Sequence, residues 1–141
     1  MKKINAEIEK ILIERFSKDS LISLATAADN MPYVRTVDAY YDNGSFFVLT
    51  HALSNKMKQI KANPNVAISG EWFTARGKGI DLGYINKQEN KAVSDKMKTY
   101  FAAWIDNGHN DLEDENTVIL QIRLTDGTLV VDNEWIDIDF T

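Results

Sequence analysis

The chain has 141 residues, 44% of them hydrophobic and 26% charged, which fits a single globular domain over residues 1–141. It has no cysteine, which excludes disulfides, thiolate metal sites and cysteine nucleophiles, and its two histidines are a poor start for zinc, so no metal site is expected. The net charge of −5 argues against broad nucleic-acid or anionic-membrane binding, which leaves a basic footprint.

The N-terminus turns acidic and amphipathic at once, without the apolar core of a signal peptide, and no stretch approaches a membrane span. A cytoplasmic protein is the expectation. Ile4, Ile8, Ile11, Leu12 and Phe16 recur at three- and four-residue steps, which predicts a helix ending at Asp19-Ser20. Leu21 to Ala27 reads as a buried strand, and Asp29-Asn30-Met31-Pro32 as a turn. Tyr33 to Tyr41 and Phe46 to Thr50 are rich in β-branched and aromatic residues. The Asn43-Gly44 between them is the strongest short hairpin signal, because both central turn positions need positive φ.

Ser54 opens a short helix that Asn63-Pro64 stops. Val66 to Phe73 reads as a strand, and Ala75 to Ile85, carrying Gly77, Gly79 and Gly83, as a bent or closely approached one. A long helix is predicted from about Lys87, with Val93, Met97, Tyr100, Phe101 and Trp104 as its apolar stripe. The acidic run Asp111 to Glu115 reads as a solvated loop. A final hairpin is expected from Val118–Leu124 and Leu129–Val131 across Asp126-Gly127, with Trp135 to Phe140 as a terminal strand. Six or seven strands clustered this way suit a small, largely antiparallel barrel with helices at its ends, not alternating βαβ units.

Most familiar catalytic patterns are missing. The glycines of Gly77-Lys78-Gly79-Ile80-Asp81-Leu82-Gly83 have the wrong spacing for a dinucleotide loop, and no helix opens after them. Neither His51 nor His109 has a nucleophile motif nearby. The informative stretch is Tyr33 to Val66. Arg35 is a cation in an apolar strand, and Ser54, Asn55 and Lys56 sit at a helix start, where free N–H groups and the helix dipole favour an anion. Together they could form a phosphate clamp. Taken singly, Arg35 could be a rim residue paired with Asp38 or a neighbouring-strand carboxylate, Ser54 an N-cap only, and Lys56 a solvated helix residue.

This stretch resembles the cofactor-binding core of the pyridoxamine 5′-phosphate oxidase-like family, the FMN-binding split barrels. The family pattern places an Arg on the second strand, a Thr ending the third, a Ser-Arg-Lys triplet four residues on, then Asn-Pro. Here Arg35, Thr50, Ser54, Lys56 and Asn63-Pro64 occupy those positions, Asn55 replaces the triplet Arg, and Trp72 falls where relatives carry an aromatic. The resemblance implies a mainly β fold with helices, a six- or seven-stranded antiparallel split barrel, working as a homodimer with FMN at the subunit interface. Arg35, Ser54 and Lys56 with the Asn55 amide would hold the phosphate. Thr36, Val37, Leu49 and Thr50 would line the ribityl chain and ring, and Lys78 would reach in from the partner subunit.

The acidic, apolar C-terminus Glu134 to Thr141 lacks the Arg and His that hold pyridoxal phosphate in the true oxidase, so a smaller, general-stress-protein-like member is implied. Its expected activity is hydride or electron transfer from a reduced nicotinamide to a small acceptor, with no catalytic side chain identified. The alternatives are a non-catalytic flavin-binding or stress-related protein, or a member that binds haem or a deazaflavin, for which only His51 and His109 offer imidazoles to haem.

Overall fold

A computed structural model describes all 141 residues. Strand β1 (Lys2–Lys3) precedes helix α1 (Ala6–Phe16), which is N-capped by Asn5 and buries Ile8, Leu12 and Phe16. Then follow β2 (Ser20–Ala28), β3 (Met31–Asp42), β4 (Ser45–His51), α2 (Asn55–Ala62), β5 (Asn65–Gly70), β6 (Phe73–Tyr84), a 3₁₀ turn (Gln88–Asn90), α3 (Lys91–Tyr100), β7 (Thr117–Val131) and β8 (Glu134–Asp139). No helix is long and apolar enough to cross a membrane.

Neighbouring strands run in the order β7-β4-β3-β2-β5-β6, and β6 pairs back onto β7, so six antiparallel strands close a barrel as the sequence leads one to expect. β8 and β1 extend the sheet beyond β7, the last two pairing in parallel. Closure removes sheet edges, but not everywhere: β4 pairs only with residues 40–42 of β3, leaving the first part of β3 unpaired on that side.

Inward side chains alternate along each strand and fill the barrel with a core that includes Ile22, Leu24, Phe46, Ile68, Phe73, Leu120 and Leu129, stoppered by α1. A smaller core lies outside the wall, where α3 and the turns after it cover Tyr40, Phe47 and Ile119 with Met97, Phe101 and Ile105. Tyr40 and Tyr41 are both fully buried, on opposite faces of β3. The Tyr40 hydroxyl donates to Val93 O at 3.1 Å and the Tyr41 hydroxyl to Glu9 Oε2 at 2.6 Å. Burial raises both phenols well above their ordinary value, with Glu9 adding to the rise at Tyr41.

The turn expected over Asp29–Pro32 narrows to Asp29-Asn30, because Met31 and Pro32 already pair with β2, and three further boundaries differ from the sequence reading. The strand expected over Val66–Phe73 ends at Gly70, and Glu71-Trp72 turns the chain into β6. Arg15 holds this turn from outside, its guanidinium donating to Glu71 O, Trp72 O and Val130 O. The long helix is shorter, α3 ending at Tyr100, yet the stripe residues Met97 and Phe101 are still fully buried.

The third difference is a correction. Asp126-Gly127 is not a hairpin turn but the middle of the 15-residue strand β7, and the reversal comes at Asp132-Asn133, whose φ values are +50° and +63°. Both residues already have ladder partners on each side: Asp126 opposes Arg76 and Asp139, Gly127 opposes Ala75 and Ile138. Gly127 is needed for close approach, since a Cβ there would lie 2.8 Å from Thr74 O and 3.0 Å from Ala75 Cβ. Gly127→Ala is therefore expected to destabilise the protein by about 1–3 kcal/mol in urea melts, as overpacking does. A small gain, normal when Gly is replaced at a compatible site, would show the strands are not in close contact there.

Candidate functional site

One mouth of the barrel is covered by α2. Gly79 allows the close fit, because a Cβ there would lie 2.8 Å from Ile60 Cγ2. Ser54 is the N-cap, its Oγ accepting from Met57 N at 3.4 Å, and the helix has no acidic residue in its first turn. The positive end of α2 is thus left without a side-chain counter-charge.

Arg35 rises from β3 beside this helix. Its cross-strand partner Leu24 is fully buried, which puts Arg35 on the barrel-facing side of the sheet. The guanidinium donates to Thr26 Oγ1 (2.8 Å), Gln59 Oε1 (2.8 Å) and Leu24 O (3.3 Å). Thr26 in turn donates to Gln59 Oε1 at 2.6 Å. One helical step earlier, Lys56 Nζ donates to Thr50 Oγ1 at 2.8 Å, and Thr50 Oγ1 lies 3.4 Å from Ser54 Oγ. Four of the sequence-derived residues therefore meet here: Arg35, Thr50, Ser54 and Lys56.

The charge balance of the cluster is its main property. Every acceptor of Arg35 and Lys56 is neutral, and neither cation belongs to any of the molecule's four lysine– or arginine–carboxylate pairs. Burial lowers the basicity of both, and the neighbouring Arg35 charge lowers Lys56 further. Two partly desolvated cations thus stand at this mouth with hydroxyl and amide partners and no carboxylate.

The remaining sequence candidates are spread around this cluster. Val37 packs against the barrel core and Leu49 against the outer one, while Thr36 is exposed. Asn55 is exposed as the first residue of α2, and Lys78 stands apart, bonded to Asn65 Oδ1. Sequence reasoning missed Thr26 and Gln59, which orient the guanidinium. Gln59 lies three residues after Lys56, a spacing that places both on one side of a helix.

A 270 Å³ cavity on the other side of Thr50 brings together His51, His109, Asp111 and Asp114, with Leu49 as its one hydrophobic lining residue. His51 Nδ1 accepts from Leu53 N at 3.2 Å, and Nε2 lies 3.6 Å from Asp114 Oδ2.

A closed antiparallel barrel with a cationic, hydroxyl-lined mouth under a short helix places the chain among the split barrels. The model of the pyridoxamine 5′-phosphate oxidase family matches residues 8–130, and the chain belongs to that family. The pyridoxine/pyridoxamine 5′-phosphate oxidase of Vesicomyosocius okutanii is 29% identical over 111 residues, 74% of this chain and 52% of that protein. The chain spans about half the length of the curated relatives it matches. Among solved structures, a FAD-binding protein from Mesorhizobium loti superposes with TM-score 0.66 at 19% identity, covering 88% of this chain and 92% of that one. A heme-binding protein from Mycobacterium smegmatis superposes with TM-score 0.71 at 14% identity, covering 99% and 60%. At these identities the two structures speak for the fold alone.

The Arg35–Asp38 pair that the sequence left open is not formed, because residues 35 and 38 point to opposite faces of β3. The Asp38 carboxyl instead neighbours that of Asp19, whose Oδ2 accepts from Trp104 Nε1 at 2.9 Å. Burial first, then Asp19, push the Asp38 carboxyl up to about 6 from 3.8. A folded-state value above the unfolded one means this group's contribution is fully present below the unfolded value and lost as pH rises through about 6. Urea melts are expected to show Asp38→Asn losing less stability than the parent between about pH 4 and about pH 7, and parallel profiles would remove Asp38 as the cause.

Proposed function

We propose that this protein is a cytoplasmic FMN-binding oxidoreductase that acts as a homodimer, passing hydride or electrons from a reduced nicotinamide to a small acceptor. The observation that carries the reading is the pair of uncompensated cations, Arg35 and Lys56, beside the α2 N-terminus. They would bind the FMN phosphate together with the Ser54 hydroxyl and the Asn55 amide. Thr26 and Gln59 hold the Arg35 guanidinium in place, so less of its freedom is lost on binding.

When bound, the flavin itself supplies the redox chemistry. The chain's part is to bind it, orient it and keep water from one face. Thr36, Val37, Leu49 and Thr50 would line the ribityl chain and ring, and Lys78 would approach from the second subunit. Pairing of two chains is supported by the unpaired part of β3, where Met31, Tyr33 and Val34 are exposed, the last by 71%. Haem is the second reading, since His51 and His109 share one cavity. That cavity is polar, however, whereas a porphyrin needs broad apolar walls.

The first measurement is the visible spectrum of the purified protein, before and after incubation with FMN and gel filtration. Retained oxidised-flavin bands are expected, and their absence at high protein concentration would overturn the reading. Arg35→Ala is expected to weaken FMN by about 10- to 100-fold in a fluorescence titration, the scale of lost charge-assisted hydrogen bonds. Lys56→Met should also weaken FMN, yet leave the flavin-free protein no less stable in urea, because it relieves both burial of a charge and repulsion by Arg35.

A further inference from the structure

A second place in the molecule asks for an anion, and it does not depend on the flavin reading. A 220 Å³ cavity at the start of α3 is lined by Asn86, Lys87, Lys91, Ser94, Asp95 and Lys98 among others. Three lysines face one aspartate in a chain whose net charge is −5. Lys91 is paired with Asp95 at 3.0 Å, Lys98 reaches only the neutral Asn86 Oδ1 at 3.4 Å, and Lys87 has no ion-pair partner.

This arrangement works against the helix that carries it. Lys91 is the first residue of α3, where the helix dipole disfavours cations, and α3 has no side-chain cap and no acidic residue in its own first turn, the one acidic residue at this end being Glu89 of the preceding 3₁₀ turn. In the Lys91–Asp95 pair the base precedes the acid, the weaker of the two orders on a helix. Asn90, the residue in the cap position, gives its amide to Leu82 O and Tyr84 O instead.

Ser94 supplies the independent observation. The residue is only 3% exposed, and it makes no side-chain hydrogen bond within the chain. It is not sealed in either: it lines this cavity, and no fully enclosed polar atom in the protein lacks a partner. A nearly buried hydroxyl without a protein acceptor, open to a space ringed by ammonium groups, has the chemistry of a ligand contact.

We propose that this cavity is a binding site for a phosphate group, with Ser94 donating to one oxygen and Lys87, Lys91 and Lys98 supplying the charge. Free phosphate and a phosphate monoester share this chemistry. The site lies on α3, separate from the barrel mouth covered by α2, so the protein has two anion sites of different build. The mouth uses buried, oriented donors, and the α3 site uses flexible lysines around a single fixed hydroxyl.

The test is an amide NMR titration of the full chain with inorganic phosphate at constant ionic strength, repeated with glycerol phosphate and with chloride. Saturable shifts confined to residues 86–98 are expected, absent with chloride. The double variant Lys87→Gln/Lys98→Gln should weaken binding by about tenfold and Ser94→Ala by about three- to tenfold, whereas Asp95→Asn should tighten it. Tighter binding of glycerol phosphate would assign an ester as the natural ligand, and equal binding the free anion. Shifts restricted to residues 54–59, equal shifts with chloride, or unchanged affinity in the double variant would overturn the site. The first of these would leave the flavin reading intact, and loss of flavin binding would leave this one intact.

Discussion

The pairing of β6 with β7 is the constraint on which the rest of the molecule depends. Without it the sheet would be an open, twisted layer with two long edges; with it, six strands share one enclosed interior. The pairing is not regular. Its register shifts between Arg76 and Gly77 and again between Asp81 and Gly83, and such bulges let long strands curve around a small barrel. The same curvature brings Gly79 under Ile60, so that α2 can lie across the opening and carry Gln59 to Arg35 in the first half of β3 and Ser54 and Lys56 to Thr50 near the end of β4.

What results at the mouth is an exchange of stability for readiness. Arg35 and Lys56 are partly desolvated and repel one another, and the chain answers with neutral oxygens where a carboxylate would have relieved the strain better. The neutral acceptors fix direction without cancelling charge.

Much of this was legible in the sequence, and the failures have physical causes. Period-two and period-3.6 patterns locate α1, β2 to β4 and α2 to within a few residues, and Asn43-Gly44 turns as its composition demands, with φ of +46° and +84°. Asp126-Gly127 has the same turn chemistry and does the opposite, because a glycine between two crowded strands and a glycine in a turn look alike until their neighbours are known. Glu71-Trp72 carries no turn signal, since the side chain of Arg15, more than fifty residues away, holds it. At the site, the cations and the hydroxyls could be read from their types. Thr26 and Gln59 could not, because nothing local marks a polar side chain as the second layer of a distant arginine.

The two adjacent tyrosines of β3 have a consequence for how this fold can vary. At this point the strand has no solvent side: it is a partition between two separate interiors. Sliding β3 by one residue in one direction would put the Asp42 carboxylate where Tyr41 sits in the barrel. Sliding it the other way would put Ala39 into the space of Tyr40 beneath α3. Either shift is costly, so the partition holds its own register, and Arg35, earlier on the same strand, inherits its alignment from Tyr40 and Tyr41. An ancestral or engineered relative could change its loops and its ligand freely, but any change of length between residue 35 and this partition would carry the arginine away from its helix.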